Sequence, residues 1–130
     1  MKSDSQPGDI NDLVDETDYA LIVDNIETLV YKAIEGWKQG KKYSPTKNML
    51  IAITKHYDDE GLKGAIAKSF SKNRSDKLEK KLDDIRKKIS SVGFDDEKIT
   101  EESLKTEARM VVTQLRANVQ ELQLRRNPTP

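Results

Sequence analysis

The 130-residue chain has no cysteine and a single histidine, His56. Without thiols there is no disulfide, no thiolate metal ligand and no thiol nucleophile. One imidazole cannot supply the ligand set of a zinc centre, and it leaves general acid-base catalysis near neutral pH with one candidate. Long apolar runs are also missing: none exceeds five residues, against roughly 20 residues needed to cross a bilayer. The opening MKSDSQPGDINDLVDE lacks the apolar stretch of a signal peptide. These absences predict a chain with no membrane partner, no cofactor, no catalytic residue and no bound metal, placed in the reducing cytoplasm.

Charge is what the sequence has in quantity. Lys plus Arg and Asp plus Glu both number 23, so the total cancels. The distribution does not. Residues 1–31 carry one basic and eight acidic side chains, residues 32–88 sixteen and eight, and residues 89–130 six and seven. An acidic head precedes a basic middle.

Apolar spacing predicts an all-α domain, a compact bundle of about five helices. Residues 1–17 hold few large apolar side chains and are expected to be a flexible acidic segment. The bundle spans 18–126, and 127–130 forms a disordered tail. Tyr19, Ile22, Val23, Ile26, Leu29, Val30, Ala33, Ile34 and Trp37 recur at three- and four-residue steps, which marks helix one. Gly40 suits a left-handed closing position. Ser44 is expected to cap helix two and Pro45 to fill its first position, with Met49, Leu50, Ile53 and Tyr57 buried. A short helix follows around Leu62, Ala65, Ile66, Ser69 and Phe70. Ser75 is expected to cap helix four, whose seam is Leu78, Leu82, Ile85, Ile89 and Val92, with Gly93 as its stop. Thr100 caps helix five, with stripe Leu104, Ala108, Val111, Leu115, Val119 and Leu122. Helices four and five read as an αα-hairpin.

Two acidic triplets, Asp58-Asp59-Glu60 and Asp95-Asp96-Glu97, lack the spacing of a calcium loop and read as solvated inter-helix loops. Phosphate chemistry has a better candidate in KKYSPTK. Lys41 and Lys42 precede a helix start and Lys47 lies in its first turn, with the Ser44 and Thr46 hydroxyls and free amides nearby. Lysines oppose the positive end of the helix dipole unless an anion, or an acid of the same chain, neutralises them. Tyr43, inside this cluster, is the ring expected to be exposed for base stacking, whereas Trp37 belongs to the core. A second group, Gly61 and Gly64 followed by Lys68, Lys72 and Arg74, is similar to the glycine hairpins of helix-hairpin-helix modules, with glycines one residue further apart. The glycine loop of KH domains belongs with a sheet, for which this chain has no strands.

The first functional expectation is therefore a non-enzymatic module binding nucleic acid, single-stranded DNA included, or nucleotide phosphates. Such a module would be an accessory of replication, transcription or mobile-element machinery. The alternative is a protein-interaction or assembly domain, using apolar neighbours of the helix-five stripe: Met110, Val112, Ala117 and Leu124. Convergence of the lysine-rich stretches on one face would favour nucleic acid; scatter would favour assembly.

Overall fold

A computed structural model describes residues 16–90 and 99–126. Among them the chain is all-α, with five helices and no strand. Helix α1 is Tyr19–Lys38; α2 is Tyr43–Ile51 and continues as a π-helical segment over Ala52–Asp59. Helix α3 is Leu62–Ser69, α4 is Lys72–Ser90 and α5 is Glu101–Arg126.

Helix α1 is the central rod. Val23, Ile26, Val30, Ala33 and Ile34 are fully buried, and Asp18 accepts the Leu21 N–H at 3.0 Å to cap the helix. At its far end Gly40 takes φ +81°, while the Gly40 and Lys41 amides donate to the Trp37 and Gly36 carbonyls. That closure returns the chain so promptly that α2 begins at Tyr43. Ser44 and Pro45 consequently lie inside the first turn, and Ser44 is not the cap. Lys42 holds that position with no side-chain cap bond. Proline is tolerated because the first-turn amides have no intrahelical acceptor. Its ring is buried against Gly36, where an added Cβ would lie 2.9 Å from Pro45 Cγ.

The inward face of α2 runs Pro45, Met49, Ala52, Ile53, His56 and Tyr57. Leu50, expected in the core, is 43% exposed because it stands about 100° round the helix from Met49. In the π segment the Glu60 amide reaches back five residues to the Lys55 carbonyl at 2.9 Å. Both members of the adjacent pair His56-Tyr57 are buried there.

Helix α4 starts earlier than expected. Ser71 accepts the Arg74 amide at 3.0 Å, and Ser75, expected as the cap, is buried. The Ser75 hydroxyl donates to the Lys72 carbonyl at 2.9 Å. Leu78, Leu82, Ile85 and Ile89 form the buried seam as the spacing predicts; Val92, Gly93 and the second acidic triplet lie outside the described residues. Helix α5 opens on a reciprocal Thr100–Ser103 pair at 3.0 Å. It packs against α1, α3 and α4, so its buried arc is wide and takes in Val112 as well as Val111. Val112 is core, not a spare surface residue.

Ion pairs fix the directions. Lys38 meets Glu101 at 3.5 Å, and Arg126 donates to the Thr17 carbonyl at 2.9 Å, so α1 and α5 are antiparallel. Lys88 bonds Glu107 at 2.6 Å and Arg74 bonds Asn118 at 3.2 Å, so α4 and α5 are antiparallel too.

Candidate anion-binding surface at the start of α2

Three of the five helix starts are capped by a side chain. Asp18 caps α1, Ser71 caps α4, and Thr100 caps α5 with Glu101 and Glu102 behind it. Helix α3 begins on Gly61, whose φ of +103° suits glycine; it has no side-chain cap and no acid in its first turn, where it carries Lys63. Lys63 is neutralised by Glu79 at 3.0 Å.

The start of α2 shares the bareness of α3 and differs in leaving its lysines unpaired among the described residues. It has no acidic residue in its first turn and no side-chain cap. Lys41, Lys42 and Lys47 are all exposed, and none has an ion-pair partner among the described residues. Tyr43 is 92% exposed, which leaves its ring open on both faces. Ser44 is exposed, and the Thr46 hydroxyl turns back to the Lys42 carbonyl at 3.5 Å. With Pro45 lacking an N–H, the amides of Tyr43 and Ser44 are the donors this turn can offer an anion.

The second expected group is not part of this surface. Arg74 bonds Glu121 and Asn118 near the end of α5, and Arg125 bonds the Ser69 carbonyl. Lys38, at the other end of α1, meets Glu101 at the beginning of α5. Glu101 and Glu121 are twenty residues apart on one helix, or about 30 Å. The two basic groups thus occupy opposite ends of the bundle.

Local chemistry also differs between the two ends. Lys72 is paired with Asp76 at 2.8 Å. The Arg74 and Arg125 guanidinium groups lie 4.3 and 4.5 Å from the Phe70 ring centroid, cation–π contacts that help hold the α3–α4 corner on α5. Lys68 is exposed and without an ion pair among the described residues. Gly64 is exposed in open space, so no close backbone approach accounts for it.

His56 is buried, with Nδ1 2.8 Å from Glu60 Oε1. The adjacent Tyr57 donates its hydroxyl to the Ser75 carbonyl, and burial, reinforced by the Glu79, Asp76 and Asp58 carboxylates, pushes its phenol well above the ordinary range. Among the described residues no group of three or more His, Asp or Glu side chains is arranged to hold a metal ion. No described helix is long and apolar enough to cross a membrane.

Sequence reasoning missed the clamp of Arg116 on Asp24 and Glu27, at 3.0 and 2.6 Å, which ties α5 to α1. Its hydrogen bond to Glu27 is the main cause that raises the Arg116 pKa. Partners 89 residues apart leave no local pattern to find. No protein-family model, curated protein or solved structure matches the chain.

Proposed function

We propose that this domain is a non-enzymatic binding module that contacts phosphate groups of nucleic acid, single-stranded DNA in particular, at the start of α2. It would serve as an accessory of replication, transcription or mobile-element machinery in the cytoplasm. One observation carries the reading. Lys41, Lys42 and Lys47 surround an uncapped helix start with no carboxylate among the described residues to neutralise them, beside a fully presented Tyr43. A backbone phosphate supplies the missing negative charge, and the tyrosine face supplies a platform for an unstacked base.

The division of the basic residues between two ends is the scatter that favours assembly, and it confines any nucleic-acid contact to the lysines at the start of α2. Three lysines neutralise at most about three phosphates, so log K against log salt should fall with a slope of roughly −2 for a single strand. Fluorescence anisotropy of a labelled oligonucleotide, titrated at several salt concentrations, tests this. Lys41→Ala with Lys42→Ala should lower the slope by about one to one and a half units. Binding no tighter than background at low salt, or a slope unchanged by the double substitution, overturns the reading.

A second reading, assembly through protein contacts, is favoured by a different observation. Met110 and Leu124 are 54% and 68% exposed on the outer face of α5.

A further inference from the structure

Helices α1 and α5 are not packed flush along their whole length. Ala20 on α1 and Ala117 on α5 are small, and between the two helices lies an open groove of about 460 Å³. Val23 and Val119, both buried, lie at its bottom, while Thr113, Gln120 and Gln123 are exposed along its side. The one charged residue that lines it, Arg116, is held by Asp24 and Glu27 at 3.0 and 2.6 Å. With that charge already matched, the groove suits apolar side chains, with amide and hydroxyl groups at the edge to meet polar atoms.

The place where the chain enters the bundle points to an occupant. The Thr17 carbonyl accepts from Arg126 at 2.9 Å, and the Arg126 guanidinium lies 5.4 Å from the Tyr19 ring centroid. The entry is therefore held at the last turn of α5, about one turn from Gln123 at the end of the groove. Residues 1–15 lie outside the described residues, and they join the bundle at this point. Their stretch DINDLVD, residues 9–15, holds Ile10, Leu13 and Val14. Spaced three and four residues from Ile10, these side chains share one side of a helical turn.

Reach, charge and concentration favour this segment over a second molecule. Ile10 is seven residues from Thr17, a tether of at most about 25 Å. From Gln123 to Thr113 the groove runs about 15 Å along α5, so all three apolar side chains fall within range. Every charge in residues 9–15 is acidic, and Arg125 and Arg126, beside the entry, have no ion-pair partner among the described residues. A tether this short gives an effective concentration on the order of millimolar, which a free partner at micromolar concentration does not match.

We infer that residues 9–15 of the same chain cover the α1–α5 groove, with Ile10, Leu13 and Val14 against Ala20, Val23 and Ala117. The acidic segment is thereby held in the half of the bundle remote from the Lys38–Glu101 contact, away from the lysines at the start of α2. Neither reading of the domain's function is needed for this contact.

Because the chain has no cysteine, introduced pairs report the contact in the full chain. Asn11→Cys combined with Gln120→Cys keeps all three apolar side chains. The control combines Asn11→Cys with Lys68→Cys. Lys68 is exposed, and its neighbour Ser69 accepts from Arg125 at 2.5 Å, so it lies near the entry but outside the groove. Under mild oxidation the first pair should close an intramolecular disulfide at least about tenfold faster than the control, at a rate independent of protein concentration. Adding Leu13→Ser and Val14→Ser should bring the two rates together. In the cysteine-free chain the same two serines should shift the backbone amide resonances of Ala20, Ala117 and Gln120 and leave those of Ser44 to Lys47 in place. Equal rates for the two pairs, a disulfide-linked dimer as the main product, or groove amides unmoved by the serines overturns the proposal.

Discussion

The Tyr57 hydroxyl donates to the Ser75 carbonyl across 2.8 Å of buried interior, joining the π segment after α2 to the first turn of α4. The bond explains two features at once. The phenol is fully buried yet has a partner, and Ser75 lies in the interior instead of capping a helix.

Tyr57→Phe keeps the ring's packing and removes only this bond, so it should cost about 0.5–1.5 kcal/mol in urea denaturation. The two proteins should also diverge at alkaline pH. Burial holds the Tyr57 proton above the pKa of about 10 of an unfolded tyrosine. Its contribution to stability is therefore complete below about pH 10. It falls as pH rises further, where the unfolded phenol ionises and the folded one does not. Urea midpoints measured between pH 8 and 11 should decline more steeply for the wild type than for Tyr57→Phe.

Glycines 36 and 64 should respond to alanine in opposite directions. At Gly36 a Cβ would sit 2.9 Å from the Pro45 ring, between two packed helices. The substitution should destabilise by about 1–3 kcal/mol through overpacking. Gly64 is helical, exposed and in open space, so alanine there should stabilise by about 0.5–1 kcal/mol. Thermal melts of both variants decide the matter, and stabilisation by Gly36→Ala would contradict the packing described.

The Arg116 clamp joins α5 to α1, but its groups are 42%, 57% and 41% exposed for Arg116, Asp24 and Glu27. Screening by solvent limits its worth. Arg116→Ala should cost no more than about 1 kcal/mol, and the difference should shrink when salt is raised from 50 mM to about 1 M.

Tyr43→Ala should leave the melting temperature within experimental error, because the residue is already 92% exposed to water. If the ring stacks on a base, the same change should weaken oligonucleotide binding by about 1–3 kcal/mol without altering its salt slope. An unchanged affinity removes Tyr43 from the contact.

Helix existence was legible from neighbours in sequence because helices are made by interactions three and four residues apart. The buried stripes of α1, α4 and α5 follow their apolar spacing, and Gly40 and Thr100 act where backbone freedom and a capping hydroxyl were expected. Ser44 and Ser75 show where that reasoning stopped. Each is a good cap by residue type, but the tight closure after α1 and the earlier capping by Ser71 place both inside a helical turn. Leu50 and Val112 were misplaced because a face's centre and width depend on the neighbours it meets.

The order of apolar and polar residues by itself determined the helical class, the rod-like α1 and the lysines crowded before α2, since each is a matter of local periodicity or local charge. Only the tertiary structure decided which cations keep their charge available. Arg74, Lys88 and Arg116 find acids on other helices, while Lys41, Lys42 and Lys47 find none among the described residues. Coulomb attraction acts through space, and the partner each cation meets is set by how the helices are laid against one another.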